Sequence, residues 1–285
     1  MALLSESYRL LANAKINLFL DIENKRSDGY HNILSVFREI KLSDELIIRI
    51  KKTPGLELDS EIPYHENILT KTYDLFQKEH GPISGLIVKL NKHIPMGGGL
   101  GGGSSNAAVF LKYLYHKFSP VTNKEIWLKT AEQIGSDVPF FLLGGCRIVR
   151  GKGELLEAMG PSPMFYVVLV SPGFPISTVE SYRKITNVQH RQGLGQFEAL
   201  VDGIRSKDIV RMAMNMYNVF EKNTFADYPV LEKIKKKLIS VGAVNALMSG
   251  SGSTMFGIFV NKKKAQLAYD VLSREYPKSY LAQTQ

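Results

Sequence analysis

The chain has 285 residues, enough for a sizeable core and two domains. Hydrophobic residues make up 44% and charged residues 22%, as in soluble globular proteins, and the single cysteine, Cys146, excludes an internal disulfide framework and a cysteine-built zinc site. The net charge of +9 leaves open nucleic acid, anionic small substrates or a solvated surface, but its densest runs, residues 233–237 and 262–264, lack the interleaved aromatics of a single-strand nucleic-acid platform.

No apolar run approaches the roughly 18–20 residues of a membrane span. Residues 1–11 lack the basic, apolar and small-residue pattern of a secretory signal, so a cytoplasmic protein is expected. Residues 8–21 alternate. Ala12, Ala14, Ile16, Leu18 and Leu20 point one way and Asn13, Lys15, Asn17, Phe19 and Asp21 the other, which predicts a strand with one buried face. Asp28-Gly29 punctuates the chain, and strands are expected at 33–41 and 45–51. Residues 66–79 group Ile68, Leu69, Thr72, Leu75 and Phe76 at helical spacing, and 85–90 alternate as a strand.

After a glycine-rich segment, Ala107, Phe110, Leu111, Leu114 and Phe118 form one helical stripe. Residues 123–134 predict a second helix stopped by Gly135, and 140–143 a buried run ended by Gly144-Gly145. Strands are expected at 147–149 and 165–170, the latter fully buried, with the linker signal at 159–163. Helices follow at 197–206, 209–218 and 229–241, the last with lysines opposite Leu231, Ile234 and Leu238. Strands at 245–248 and 254–260 flank a Ser/Gly turn, 262–264 reads as a turn, and 264–276 as the final helix. This interleaving predicts an α+β architecture with mainly antiparallel sheets.

The glycine-rich segment carries most of the chemical information. Six of the seven residues from Gly97 to Gly103 are glycine, a cost in backbone entropy that something must offset, a bound ligand or else the packing of a glycine-rich turn without one. The segment lies between a strand and a long amphipathic helix. Unpaired N–H groups and partial positive charge at a helix N-terminus suit phosphate, and glycines admit its oxygens close to the backbone. Ser104 and Ser105 add hydroxyls. The P-loop pattern needs lysine after its last glycine, where Gly103 is followed by Ser104. Gly97, Gly99 and Gly102 match the dinucleotide spacing, but no acidic strand end follows about 20 residues on. Pro95, Gly99, Leu100, Gly101, Ser104 and Ser105 match a third pattern, P-x-x-x-G-L-G-x-x-S-S, the loop of the GHMP kinases.

The resemblance to that family extends over nearly the whole chain. Residues 12–20 (ANAKINLFL), Asp28-Gly-Tyr-His31, residues 95–107 and Gly135-Ser-Asp-Val-Pro139 resemble motifs of one branch, with Asn13 standing where that branch often has proline, and Ser249-Gly-Ser-Gly252, last in order, resembles the family's third motif. That branch phosphorylates a cytidine-diphosphate alcohol in isoprenoid precursor synthesis. The resemblance implies a two-domain fold, with a ribosomal-protein-S5-like N-terminal domain (1–160, ATP-binding) and a ferredoxin-like C-terminal domain (161–285). It implies ATP and Mg2+, with a loop of Pro95, Met96, Gly97, Gly98, Gly99, Leu100, Gly101, Gly102, Gly103, Ser104 and Ser105 holding the triphosphate and Ser105 as a candidate metal ligand. Kinase chemistry needs a carboxylate to take the hydroxyl proton and a lysine to orient it and stabilise charge, and these roles fall by resemblance on Asp137 and Lys15.

For the alcohol, the resemblance implies Asn17, Tyr30, His31, Lys92, Asp137, Thr178 and Tyr182, with Tyr30 and Tyr182 stacking on cytosine and His31 bonding its edge. Read alone, Lys15 is a solvent-facing strand lysine, Asp137 a helix cap, the two tyrosines packing under loops and residues 249–253 a hairpin turn. The implied partner is a small molecule, with neither nucleic acid nor membrane, and the chain a monomer or homodimer. Two alternatives stand: another small-molecule kinase of the family, of the homoserine or mevalonate type, and a non-catalytic nucleotide sensor or nucleic-acid binder using the basic surface.

Overall fold

The computed structural model describes residues 7–120, 123–185 and 192–284, so the first six residues of the segment read for a secretory signal lie outside the described residues. The alternating segment forms β1 (Ser7–Lys25), in which every residue from Ala14 to Ile22 is buried, the polar face included. The next strand, β2 (His31–Lys51), runs unbroken where two strands were expected. Ser43 and Asp44 are turn-forming residue types, yet here their side chains are engaged elsewhere. The Ser43 hydroxyl donates to the Asn13 Oδ1, and Asp44 is fully buried and hydrogen-bonded.

The chain forms two compact units, each assembled from separated segments. β1 and β2 both run through the two. The first unit holds Met1–Ala14, Ser43–Ile94 and Gly101–Leu143. Its remaining elements are β3 (Leu56–Asp59), α1 (Ile68–His80), β4 (Gly85–Asn91), α2 (Gly102–Phe118), α3 (Lys124–Ile134) and α4 (Val138–Leu143). β4 lies antiparallel to β2, with Glu45 opposite Asn91, and parallel to β3. Leu46, Ile48, Leu86 and Val88 from these strands pack with Leu69, Phe76, Phe110, Leu111 and Leu114 from the helices in one core. Asparagines start two of the helices of this unit. The Asn67 side chain accepts from the N–H of Leu69, and that of Asn123 from Glu125, each occupying an otherwise orphaned donor. The run expected to be buried at 140–143 is only partly so: Phe140 is fully covered, whereas residues 141–143 are half-exposed on the short α4.

The second unit holds Lys15–Leu42, Pro95–Leu100 and Gly144–Gln285. It contains β5 (Cys146–Gly151), β6 (Leu155–Ala158), β7 (Tyr166–Val170), α5 (Thr178–Arg183), α6 (Leu194–Arg205), α7 (Ile209–Met214) and β8 (Tyr217–Asn218). The chain continues through α8 (Glu221–Asp227), α9 (Pro229–Ser240), β9 (Asn245–Met248), β10 (Met255–Phe259), α10 (Lys262–Glu275) and β11 (Ser279–Gln283). β5 pairs antiparallel with β2 and β6, and a separate antiparallel sheet has the order β11-β7-β10-β9. α9 and α10 pack against that sheet. α9 begins with Pro229 and buries Leu231, Ile234 and Leu238, with its lysines on the other side, as its sequence pattern requires.

Two further expected elements differ. The helix expected to reach residue 218 stops at Met214. Asn215 turns its side-chain amide back to the Arg211 carbonyl at 2.8 Å, and Tyr217-Asn218 joins β1 in parallel beside Phe19-Leu20. Residues 262–264 are no turn but the first turn of α10, because Asn261 accepts from the N–H groups of Lys263 and Lys264 and so caps the helix. Among the described residues no helix is long and apolar enough to cross a membrane.

Cys146 lies buried on β5, and burial, partly offset by Arg38, pushes its thiol up to about 11. The reactive thiolate is therefore scarce near neutrality. A disulfide reagent at pH 7.5 is expected to leave the native protein unlabelled and to react with one thiol after denaturation. Immediate one-to-one labelling of native protein would contradict this burial.

Candidate active site

Within the second unit the first half of the glycine loop is held from behind by the turn between β9 and β10. The Thr254 N–H donates to the Gly98 carbonyl at 3.3 Å, and the Ser249 hydroxyl to the Gly99 carbonyl at 3.0 Å. The Lys15 N–H donates to the Leu100 carbonyl at 3.0 Å, which ties the loop to β1. The Ser/Gly turn is thus a strand connection and a bracket for the loop at once. Gly99 shows why a side chain is excluded: its φ is +76°, and an added Cβ would lie 2.0 Å from the Ser249 carbonyl oxygen.

The bracket has its own supports. The buried Asn218 amide donates to the carbonyls of Met248 (2.7 Å) and Gly250 (2.8 Å), and Glu221 accepts from the Met248 N–H at 2.9 Å. Burial raises the Glu221 carboxyl, a shift opposed by its ion pair with Lys235. Sequence reasoning misses Asn218, because apolar spacing places it in a helix that ends before it.

In the first unit the loop continues into α2. Gly101, in the left-handed region at φ +69°, is its N-cap, and no side chain caps the helix. The first N–H groups of a helix have no partner within it. Gly103 is exposed, with nothing within 4 Å of where a Cβ would stand. Backbone donors, helix polarity and open space together fit an anion such as a phosphate chain. Pro95 and Ser104 are half-buried, Ser105 is buried, and Met96 and Gly97 are exposed.

Lys15 is not solvent-facing: it is 4% exposed, with Nζ donating to the Asn17 Oδ1 at 2.6 Å and lying 4.5 Å from the centre of the Phe37 ring. Asn17 in turn donates to the Ser35 hydroxyl at 3.1 Å, and that hydroxyl donates to the Phe19 carbonyl. Burying a lysine costs desolvation unless a polar partner compensates, so this row of polar groups on a core strand is maintained against the preference for apolar residues there. Asn13, the departure from the motif, accepts from the Ser43 hydroxyl in the first unit.

His31 and Tyr182 are brought together, ring centres 5.3 Å apart at 38°, and Tyr182 also meets the Phe220 edge at 4.9 Å. Tyr30 is 61% exposed, and its ring carries the Lys152 ammonium at 5.0 Å. The aromatic partner of Tyr182 from this segment is therefore His31. Thr178 opens α5 and shares a 2.9 Å hydrogen bond with the Ser251 hydroxyl of the bracket turn.

In the first unit Asp137 is half-buried immediately before α4, whose start is closed by the Val138 N–H on the Gly135 carbonyl at 3.1 Å. The Lys92 ammonium, its side chain 7% exposed, is bonded to Asp44 and to the Asn106 Oδ1. Among the described residues no cluster of three or more His, Cys, Asp or Glu side chains could hold a metal.

Residues 67–145 match the family model for the GHMP kinase N-terminal domain, and residues 200–278 that for the GHMP kinase C-terminal domain. A Thermotoga maritima protein named 4-diphosphocytidyl-2-C-methyl-D-erythritol kinase is 40% identical over 258 residues, 90% of this chain and 93% of that protein. The chain belongs to the GHMP kinase family. A Syntrophomonas wolfei protein of the same name is 36% identical over 95% of this chain and 96% of its own length. A crystal structure of 4-(cytidine 5'-diphospho)-2C-methyl-D-erythritol kinase superposes with a TM-score of 0.84 at 30% identity, covering 97% of this chain and 99% of the other. The GHMP kinase fold expected from the sequence is therefore established, with its mixed helices and sheets.

Proposed function

We propose that this GHMP kinase transfers the γ-phosphoryl group of ATP to the 2-hydroxyl of 4-diphosphocytidyl-2-C-methyl-D-erythritol, giving the 2-phosphate and ADP in isoprenoid precursor synthesis. The observation that carries the substrate is the near full-length likeness to two relatives and a solved structure that all bear this one enzyme's name. Phosphoryl transfer is supported independently by the glycine loop that feeds a helix whose N-terminus no side chain caps.

Residues 95–105 would bind the triphosphate through backbone N–H groups and the Ser104 and Ser105 hydroxyls. Lys15 would stabilise negative charge on the transferring oxygens, held in place by Asn17. Asp137 would accept the proton as the substrate oxygen bonds to phosphorus and the bond to the ADP oxygen breaks. Mg2+ retains waters and binds chiefly through substrate phosphates, and the Ser105 hydroxyl at the start of α2 would be its candidate protein ligand. When bound there, the ion would supply charge neutralisation at the phosphates. Asn17, His31, Thr178 and Tyr182 would bind the alcohol, the His31–Tyr182 pair receiving the cytosine ring, with Tyr30 at the exposed rim. The enzyme would work in the cytoplasm on small molecules, as a monomer or homodimer, without nucleic acid.

The test is kcat/KM, by coupled ADP release, for the cytidine-diphosphate alcohol beside homoserine and mevalonate. A preference for the cytidine compound by orders of magnitude is expected, and equal or better use of either alternative would overturn the assignment. Stacking on a base is worth about 1–3 kcal/mol by alanine substitution. Tyr182→Ala should therefore lower kcat/KM for the alcohol roughly 5- to 150-fold and leave ATP affinity and melting temperature nearly unchanged. A fall in melting temperature with equal loss toward both substrates would make Tyr182 a packing residue.

A further inference from the structure

One carboxylate ties together the two chain ends that flank the glycine loop. Asp44, on β2, has no exposure to solvent. Its Oδ1 accepts from the N–H groups of His93 (2.7 Å) and Ile94 (2.8 Å), the two residues that enter the loop. Its Oδ2 accepts from the Lys92 ammonium and from the Asn106 side-chain amide at 2.9 Å. Asn106 lies in the second turn of α2, after the loop, and its Oδ1 accepts a further bond from Lys92 at 3.1 Å. Gly102, the first residue of α2, is packed against the same cluster: a Cβ there would lie 3.0 Å from Ile94 and 3.3 Å from the Lys92 ammonium.

We propose that Asp44 is a positioning residue for ATP, holding the entry and exit of the phosphate loop at a fixed separation, with Lys92 and Asn106 completing the clamp. A segment with six glycines carries few preferences of its own, so its shape depends on where its ends are held. A carboxylate is suited to this task because it only accepts, and four donors from both sides of the loop converge on it. The enclosed charge is matched by Lys92, so no buried charge is left unpaired. Lys92 thereby gains a role that needs no contact with the alcohol. The clamp rests on the reading of residues 95–105 as the triphosphate site.

Calorimetric titration of the full-length protein with ATP, in the absence of any alcohol, tests it. Asp44→Asn would aim amide hydrogens at the Lys92 ammonium and the Asn106 amide. Its ATP dissociation constant and ATP KM are expected to rise tenfold or more, while the alcohol KM at saturating ATP stays within about twofold. The exchanged variant, Asp44→Asn with Asn106→Asp, restores a carboxylate, an amide and an ammonium in one cluster, with the amide oxygen introduced at position 44 still facing His93 and Ile94. It is expected to recover most of the ATP affinity. If Asp44→Asn alone does not fold, the exchanged variant and Lys92→Met give the reading: weakened ATP binding in the second and recovery in the first support the clamp. Unchanged ATP affinity in folded Asp44→Asn, or in Lys92→Met, overturns it. So does a parallel rise in both KM values with a lowered melting temperature, which is the mark of general destabilisation. Absence of ATP binding by the unsubstituted protein would instead overturn the loop reading itself.

Discussion

Asp137→Asn is expected to bind ATP as before and to lose turnover by about 10²–10⁴-fold, the usual contribution of a positioned general base. The amide keeps the size and half-buried setting of the carboxylate before α4 but cannot take the hydroxyl proton. Lys15→Met should act on the same step. It keeps an unbranched side chain of similar length but removes the ammonium that lies over the Phe37 ring and is held by Asn17, so charge on the transferring oxygens would lose its stabiliser. Single-turnover kinetics with ATP binding measured separately check both. Turnover within a few-fold of the unsubstituted enzyme in either variant would remove that residue from the catalytic pair.

The second large effect belongs to the loop. Gly99→Val meets two obstacles at one position: a φ of +76° that a β-branched residue resists, and a Cβ placed 2.0 Å from a backbone oxygen of the bracket turn. Neither the Ser249 carbonyl nor the strand connection behind it can yield as a flexible side chain would, so the loop has to shift. A displacement of about 1 Å can cost on the order of 100-fold in rate, and ATP affinity is expected to fall 10- to 100-fold. Gly101→Val should behave similarly, because it would force a valine into the left-handed N-cap of α2. Titration with ATP, beside a melting curve to establish folding, reads the result. A folded Gly99→Val protein with unchanged ATP affinity would mean that the loop does not cradle phosphate.

Much of the fold and of the site is legible in the sequence because it is written in local patterns. Alternation marks β1, helical stripes mark α2 and α9, and glycine density marks the loop. What stays hidden depends on partners distant in sequence. Periodicity puts Lys15 and Asn17 on a polar, solvent-facing side, whereas the fold covers that side and bonds the two residues to each other. Ser43-Asp44 has turn-forming chemistry and suggests a break in β2, because nothing local reveals that Asp44 is needed by residues nearly fifty positions away. Asn218 is lost in the same way: apolar spacing extends α7 across it, and only its bonds to Met248 and Gly250 disclose its place behind the loop. Ring partners are likewise a property of the fold. The Tyr-His pair is visible as a motif, but that His31 rather than Tyr30 faces Tyr182 can be read only from the structure.

The most direct test of the central claim is phosphorus NMR of the purified enzyme with ATP, Mg2+ and 4-diphosphocytidyl-2-C-methyl-D-erythritol. The account predicts one new phosphomonoester resonance, on the 2-oxygen of the alcohol, growing in step with ADP while the diphosphate of the substrate stays intact. ADP accompanied only by inorganic phosphate, or an unchanged alcohol in the presence of active enzyme, would contradict it.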